Sequence, residues 1–291
     1  MTTAEKKTST AVRHRTHTVH GVGVFVREAG DPAAPAIVLL PGHPSSSHAY
    51  GRLIERLGAA WHVVAPDYPG YGFSPVPDQP VTFDYLAEVT AALLAQLGLD
   101  RYVLYMFDFG APVGMRIASA HPDRVAGLIS QNGNIAVEGL GAPLGPLADW
   151  WADRAANRAT VDGFLSAEGT RAQWQAGLRD PDAADPAVVA LDIALLDQPD
   201  RRAVAEGLLW DYQTNPPRYA DWQAWLAAHR PPTLAIWGAR DPFFVPAGAE
   251  AYGNANPDAE VILLDTGHFA LVEELDAVAT AIHAFLTRAY R

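Results

Sequence analysis

Three side chains able to run nucleophilic chemistry each stand just past an apolar run. Asp108 follows Tyr102–Phe107, Asp241 follows the run Thr233–Gly238, and His268 follows Val261–Leu264. A carboxylate is already ionised at neutral pH, so it needs no neighbouring base to act as a nucleophile. A histidine, with an unperturbed pKa near neutrality, can take a proton from water. A second carboxylate can hold that imidazole in the right tautomer. Each residue alone has a bland alternative: Asp108 as a helix cap, Asp241 before Pro242 as a turn, His268 as a hydrogen-bonded structural histidine. Together they read nucleophile, acid, histidine in chain order, each at the carboxyl end of a strand, where one rim of a sheet can gather them.

Such a rim needs a rigid mount, and the flanking residues supply one. Tyr102–Phe107 is an apolar, β-branched and aromatic run, the pattern of a buried parallel strand. Gly110, Pro112 and Gly114 follow at once, and Met115–His121 has helical character, so Asp108 sits on a tight strand-to-helix turn. Ala36–Leu40, Trp61–Pro66 and Val125–Ser130 read as further parallel strands, and Gly21–Glu28 as an early, half-exposed one. A short helix is expected over Tyr50–Leu57. Thr82 can cap a helix that carries Leu86, Val89, Leu93, Leu94 and Leu97 and stops at Gly98. A final helix, acidic in its first turn at Glu273, Glu274 and Asp276, is expected to bury Leu275, Val278, Ile282, Phe285 and Leu286.

The alternation of strand and helix breaks at about Asn134 and returns after His229. Between them helices are expected at Leu147–Asn157, Val161–Leu165, Thr170–Leu178 and Arg201–Leu208. The fold class expected is therefore α/β: a mostly parallel central sheet with helices on both faces and a helical lid insertion. Residues 14–134 and 230–291 form the core, 135–229 the cap, and 1–13 a mobile tail.

The 291 residues carry a net charge of −12, which argues against nucleic acid or an anionic membrane as partner. With no cysteine, disulfides and thiolate metal or redox chemistry are excluded, in keeping with a cytoplasmic location. His14, His17 and His20 recur every third residue, which does not place them on one face of a strand, so no metal site is expected there. The partners expected are a small-molecule substrate and water, with no cofactor.

At this point the chain resembles the α/β-hydrolase superfamily, and specifically its Asp-nucleophile branch of epoxide hydrolases and haloalkane dehalogenases. The resemblance rests on the Leu40–Pro44 loop, the Asp67–Ser74 loop, the Asp108 turn, Trp237–Asp241 and Thr266–Phe269. It implies an α/β-hydrolase fold with catalytic Asp108, Asp241 and His268, and an oxyanion hole made by the backbone N–H groups of His43 and Phe109. Two departures stand out. The first loop reads Pro41-Gly42-His43-Pro44 where the family usually reads His-Gly-x-Pro, and Phe109 stands where this branch usually has Trp.

For epoxide opening the family supplies proton donors as lid tyrosines. Trp210–Asn215 resembles the segment carrying one of them, which makes Tyr212 the donor candidate, with Tyr219 the weaker one. No tyrosine lies between Tyr105 and Tyr212, so a second member of the usual pair is missing. His43 is the other candidate to contact the leaving group. For halide release the lid offers the indoles of Trp150, Trp151, Trp174 and Trp210. Epoxide hydrolysis of an apolar or aromatic molecule is the leading expectation, with a haloalkane or haloacid dehalogenase as the alternative. A non-catalytic binding protein on the same fold is the remaining one. A serine esterase is disfavoured, because Ser45, Ser46 and Ser47 do not form a Gly-x-Ser-x-Gly turn.

Overall fold

The computed structural model describes residues 11–291. Its strands are β1 (Arg13–Val19), β2 (Val22–Ala29), β3 (Ala36–Leu40), β4 (His62–Pro66), β5 (Tyr102–Phe107), β6 (Val125–Gln131), β7 (Thr233–Gly238) and β8 (Glu260–Leu264). They form one sheet in the order β1-β2-β4-β3-β5-β6-β7-β8. β2 runs antiparallel to β1 and to β4, and every other pairing is parallel. The largely apolar runs β3, β5 and β7 are buried at every position, as strands covered on both faces must be.

Alternation along these strands feeds two cores. Val38, Leu40, Leu104 and Met106 pack with residues of α2 (Phe83–Gln96), α3 (Gly110–Ala120) and α10 (Ala247–Ala255). Ile37, Leu39, Val103 and Tyr105 pack with α1 (Gly51–Leu57) and α11 (Leu271–Ala289). The Thr82 side chain caps α2 by accepting from the Tyr85 N–H at 3.1 Å.

Between β6 and β7 lie α4 (Gly145–Ala152), α5 (Arg158–Phe164), α6 (Ala167–Gln175), α7 (Pro186–Leu196), α8 (Pro199–Asp211) and α9 (Tyr219–His229). The sequence anticipates helices near α4, α5, α6 and α8 but not α7 or α9. In α7 apolar residues ring the helix, and only Val189, Asp192 and Leu196 are buried, so no single stripe announces it.

The tail expected over residues 1–13 needs correcting at its end. Residues 1–10 lie outside the described residues, but Arg13 already belongs to β1 and faces Glu28 of β2. β1 escapes sequence reading because it is an edge strand, polar and mostly exposed. Among the described residues no helix is long and apolar enough to cross a membrane.

Candidate active site

Asp108 follows β5 with φ +50°, a left-handed conformation that costs energy for a residue with a side chain. The turn closes because its neighbours are glycines. A Cβ on Gly42 would land on the Asp108 side chain, and one on Gly110 would land on the Leu40 carbonyl oxygen. The result presents a buried carboxylate at the start of α3. Its Oδ1 accepts the His43 N–H at 2.7 Å, and the Phe109 N–H also bonds the carboxylate. The two backbone donors expected for the oxyanion hole thus converge on the nucleophile's own carboxylate.

His268 stands on the other side, with Nε2 3.8 Å from Asp108 Oδ2. Its Nδ1 lies 2.7 Å from Asp241 Oδ2. The Phe243 N–H donates to Asp241 Oδ1 at 2.8 Å, and the Asn132 amide donates to Oδ2 at 2.7 Å. Asn132 in turn accepts the Gly238 N–H at 2.9 Å. Sequence reasoning missed Asn132. Its signal is the Asn-Gly pair directly after β6, on the same rim as Asp108, and the asparagine has φ +47°.

Burial pushes the Asp108 carboxyl up to about 6, despite the opposing pull of His268 and the two backbone N–H groups. Burial pulls His268 down, but the charge and hydrogen bond of Asp241, followed by the charge of Asp108, leave it above its ordinary value. His43 goes the other way, down to about 3 through burial and then the nearby His268, so its ring is neutral. Its Nδ1 is 3.1 Å from the Tyr71 hydroxyl, and the ring packs between Phe109 and Phe164.

Over this rim lies a cavity of about 330 Å³. Asp108, His268 and His43 line it from the core, and the cap closes it with Leu144, Leu147, Trp151, Phe164 and Leu209. The polar cap residues on its wall are Tyr212 and Gln173. Burial, then the neighbouring Tyr219, hold the Tyr212 phenol well above its ordinary pKa, so it is a neutral donor. Its hydroxyl is 3.2 Å from that of Tyr219, which stands outside the cavity lining. Two bonds pin this segment to the core: the Phe83 N–H donates to Asp211 at 2.8 Å, and Arg116 donates to Asn215 at 2.8 Å.

The expected lid indoles are mostly committed elsewhere. Trp151 lines the cavity, but its N–H donates to the Leu209 carbonyl at 2.9 Å. Trp174 donates to Asp192 at 2.8 Å. Trp150 and Trp210 pack edge to face outside the lining. Ser46 lies 2.8 Å from the His48 ring and Ser47 bonds Asp67, so these serines serve the loop. Among the described residues no group of three or more His, Asp or Glu side chains has a metal-binding arrangement.

The rim, the strand-to-helix turn at Asp108 and the inserted helices are the architecture of an α/β hydrolase. The chain belongs to the alpha/beta hydrolase fold family, whose pattern it matches over residues 35–275. It falls in the branch of that superfamily with epoxide hydrolases and haloalkane dehalogenases. It is 37% identical over 275 residues to an uncharacterized hydrolase of Saccharomyces cerevisiae, covering 92% of this chain and 95% of that one. It is 34% identical over 218 residues to haloalkane dehalogenase 1 of Mycobacterium tuberculosis, covering 72% of this chain and 68% of that one. Epoxide hydrolase A of Mycobacterium tuberculosis is 37% identical over a shorter stretch of 110 residues, 37% of this chain and 34% of that one. Among solved structures, a 2-hydroxy-6-oxo-6-phenylhexa-2,4-dienoate hydrolase from Rhodococcus has the same fold. Its TM-score is 0.80 at 19% identity, covering 95% of this chain and 99% of that one.

Proposed function

We propose that this hydrolase opens epoxides of apolar or aromatic molecules through a covalent ester on Asp108. Asp108 Oδ2 attacks an epoxide carbon, the C–O bond breaks, and Tyr212 protonates the departing alkoxide. His268, oriented by Asp241, then takes a proton from water, which attacks the ester carbonyl carbon. The N–H groups of His43 and Phe109 carry the negative charge of the tetrahedral intermediate. Its collapse expels the alkoxide, which takes the proton of the new carboxylic acid to become the diol, and the imidazolium proton returns to the Tyr212 phenolate.

One observation carries the choice of leaving group: a neutral phenol shares the cavity wall with Asp108 and, by accepting from the Tyr219 hydroxyl, can keep its own proton for an alkoxide, whereas the indole on that wall has spent its N–H on Leu209. A halide needs N–H donors, and an alkoxide needs a proton. The similarity to haloalkane dehalogenase 1 favours a second reading, halide displacement by the same Asp108, Asp241 and His268.

His268→Gln tests both the ester and the leaving group. Given styrene oxide, this variant should trap an adduct on the Asp108 peptide, seen as a mass gain. No adduct from styrene oxide, with one from a haloalkane and halide release by the native enzyme, would select the second reading. No adduct from either, with tight binding of the same molecules unchanged in Asp108→Asn, would leave a binding protein.

A further inference from the structure

A second hollow adjoins the catalytic cavity. This cleft of about 190 Å³ opens between α1 and the start of α11 on the core and α6 and α7 on the cap. The partition between the two is made of sequence neighbours that face opposite ways. Phe107 lines the cleft and Asp108 the cavity; Trp174 lines the cleft and Gln173 the cavity; Phe269 lines the cleft and His268 the cavity.

The partition is thin and aromatic. Trp174 stacks on Phe269 with centroids 3.8 Å apart, Phe269 is 5.0 Å from Phe107, and Phe107 is 4.8 Å from the His268 ring. Gln131, in the cleft's floor, donates to the His268 carbonyl at 3.0 Å and to Asn132 at 2.7 Å.

The floor's polar groups are already paired. His48 lies between Ser46 and Asp192, Trp174 donates to Asp192, and Gln131 accepts from the Tyr105 hydroxyl at 3.2 Å. What the floor offers a visitor is carbon, largely from Phe107, Trp174 and Phe269, while the charged lining residues Arg52 and Asp185 are exposed to solvent. The volume exceeds the roughly 150 Å³ of an apolar cavity that takes up benzene. Water gains few hydrogen bonds against such a floor, whereas a flat ring gains burial and stacking.

We propose that this cleft is a second binding site, for a small uncharged aromatic molecule, and that occupancy is felt at His268 through the shared partition. The inference does not depend on which bond Asp108 attacks, and its test needs no turnover.

Toluene is the probe, read in the full chain by the indole ¹⁵N–H resonance of Trp174, identified as the signal missing in Trp174→Phe. Toluene should shift that resonance to saturation. The shift should survive Leu144→Trp, which fills the catalytic cavity, and the His268 imidazole signals should follow the same curve there. It should vanish in Val188→Trp and in Val272→Trp, which fill the cleft from the cap and the core. Two filling variants guard against one that fails to fold, and signal dispersion reports folding. An unmoved Trp174 resonance would overturn the proposal. So would a shift that survives in a folded filling variant or is lost in Leu144→Trp, since toluene would then sit on Asp108. A Trp174 shift with unmoved His268 signals would remove the coupling.

Discussion

The two walls of the catalytic cavity are built on different terms. On the sheet side, Asp108 is held by two backbone donors, His268 by Asp241, and Asp241 by Asn132 and the Phe243 N–H. On the cap side the wall is mostly carbon, with Tyr212 and Gln173 as its polar residues. A charged group must not move while bonds change, so the core fixes it with short hydrogen bonds. Apolar contacts are non-directional, so the cap can select a substrate by shape. Under the proposed reaction the core governs the attack on carbon, and the cap governs what leaves.

Substitutions on the two walls should therefore fail differently. On the core wall, Asp241→Asn removes the charge that orients His268. Its kcat should fall by about 10⁴-fold, as loss of the orienting carboxylate does elsewhere. A fall of only a few fold would mean that Asn132 and the backbone hold the imidazole without Asp241. On the cap wall, Tyr212→Phe should slow epoxide opening by about 100-fold or more, the usual worth of a positioned acid, and leave any halide release untouched. Equal losses for both leaving groups would assign Tyr212 to packing.

The pH profile separates the steps carried out at the core wall. Ester formation needs ionised Asp108, so its single-turnover rate should fall roughly tenfold per unit below pH about 6. Ester breakdown needs neutral His268, whose protonated form the Asp241 charge and hydrogen bond favour, so it should fail as pH falls and the imidazole takes up a proton. Stability runs the opposite way for Asp108. Its raised pKa means that the folded chain holds this proton more tightly than the unfolded one, so ionisation costs stability as pH rises from 3.8 through about 6. The shift corresponds to roughly 3 kcal/mol at most. Asp108→Asn should accordingly gain stability in urea at pH 7 and lose that gain near pH 4. The smallest effect is expected from Trp151→Phe, because its N–H is already bound to Leu209. A marked loss of halide release in that variant would return the cap to halide chemistry.

The same divide governs what the sequence reveals. β3, β5 and β7 are readable residue by residue, because a strand covered on both faces is a short unbroken apolar run. Asp108 and Asp241 are legible because β5 and β7 lead straight into them, whereas His268 follows β8, an edge strand whose Val261 and Leu263 stay exposed. The cap is harder to read. In α9 only Tyr219, Trp222 and Leu226 are buried, and aromatic and alanine residues cover its other faces too. Asn132 has no legible signature of its role, because an amide after a strand looks like a turn residue, and only three-dimensional contact shows it beside Asp241. The bond between Trp151 and Leu209, which withdraws an indole from the site, joins residues 58 positions apart and has no local signature.

The grip of the His43 N–H on Oδ1 makes the two oxygens of Asp108 unequal. In the proposed mechanism the moored one stays through every turnover. The other departs inside each product molecule, and solvent supplies its successor. The oxygen handed to a given substrate therefore entered the enzyme one cycle earlier, and half of this carboxylate is perpetually renewed.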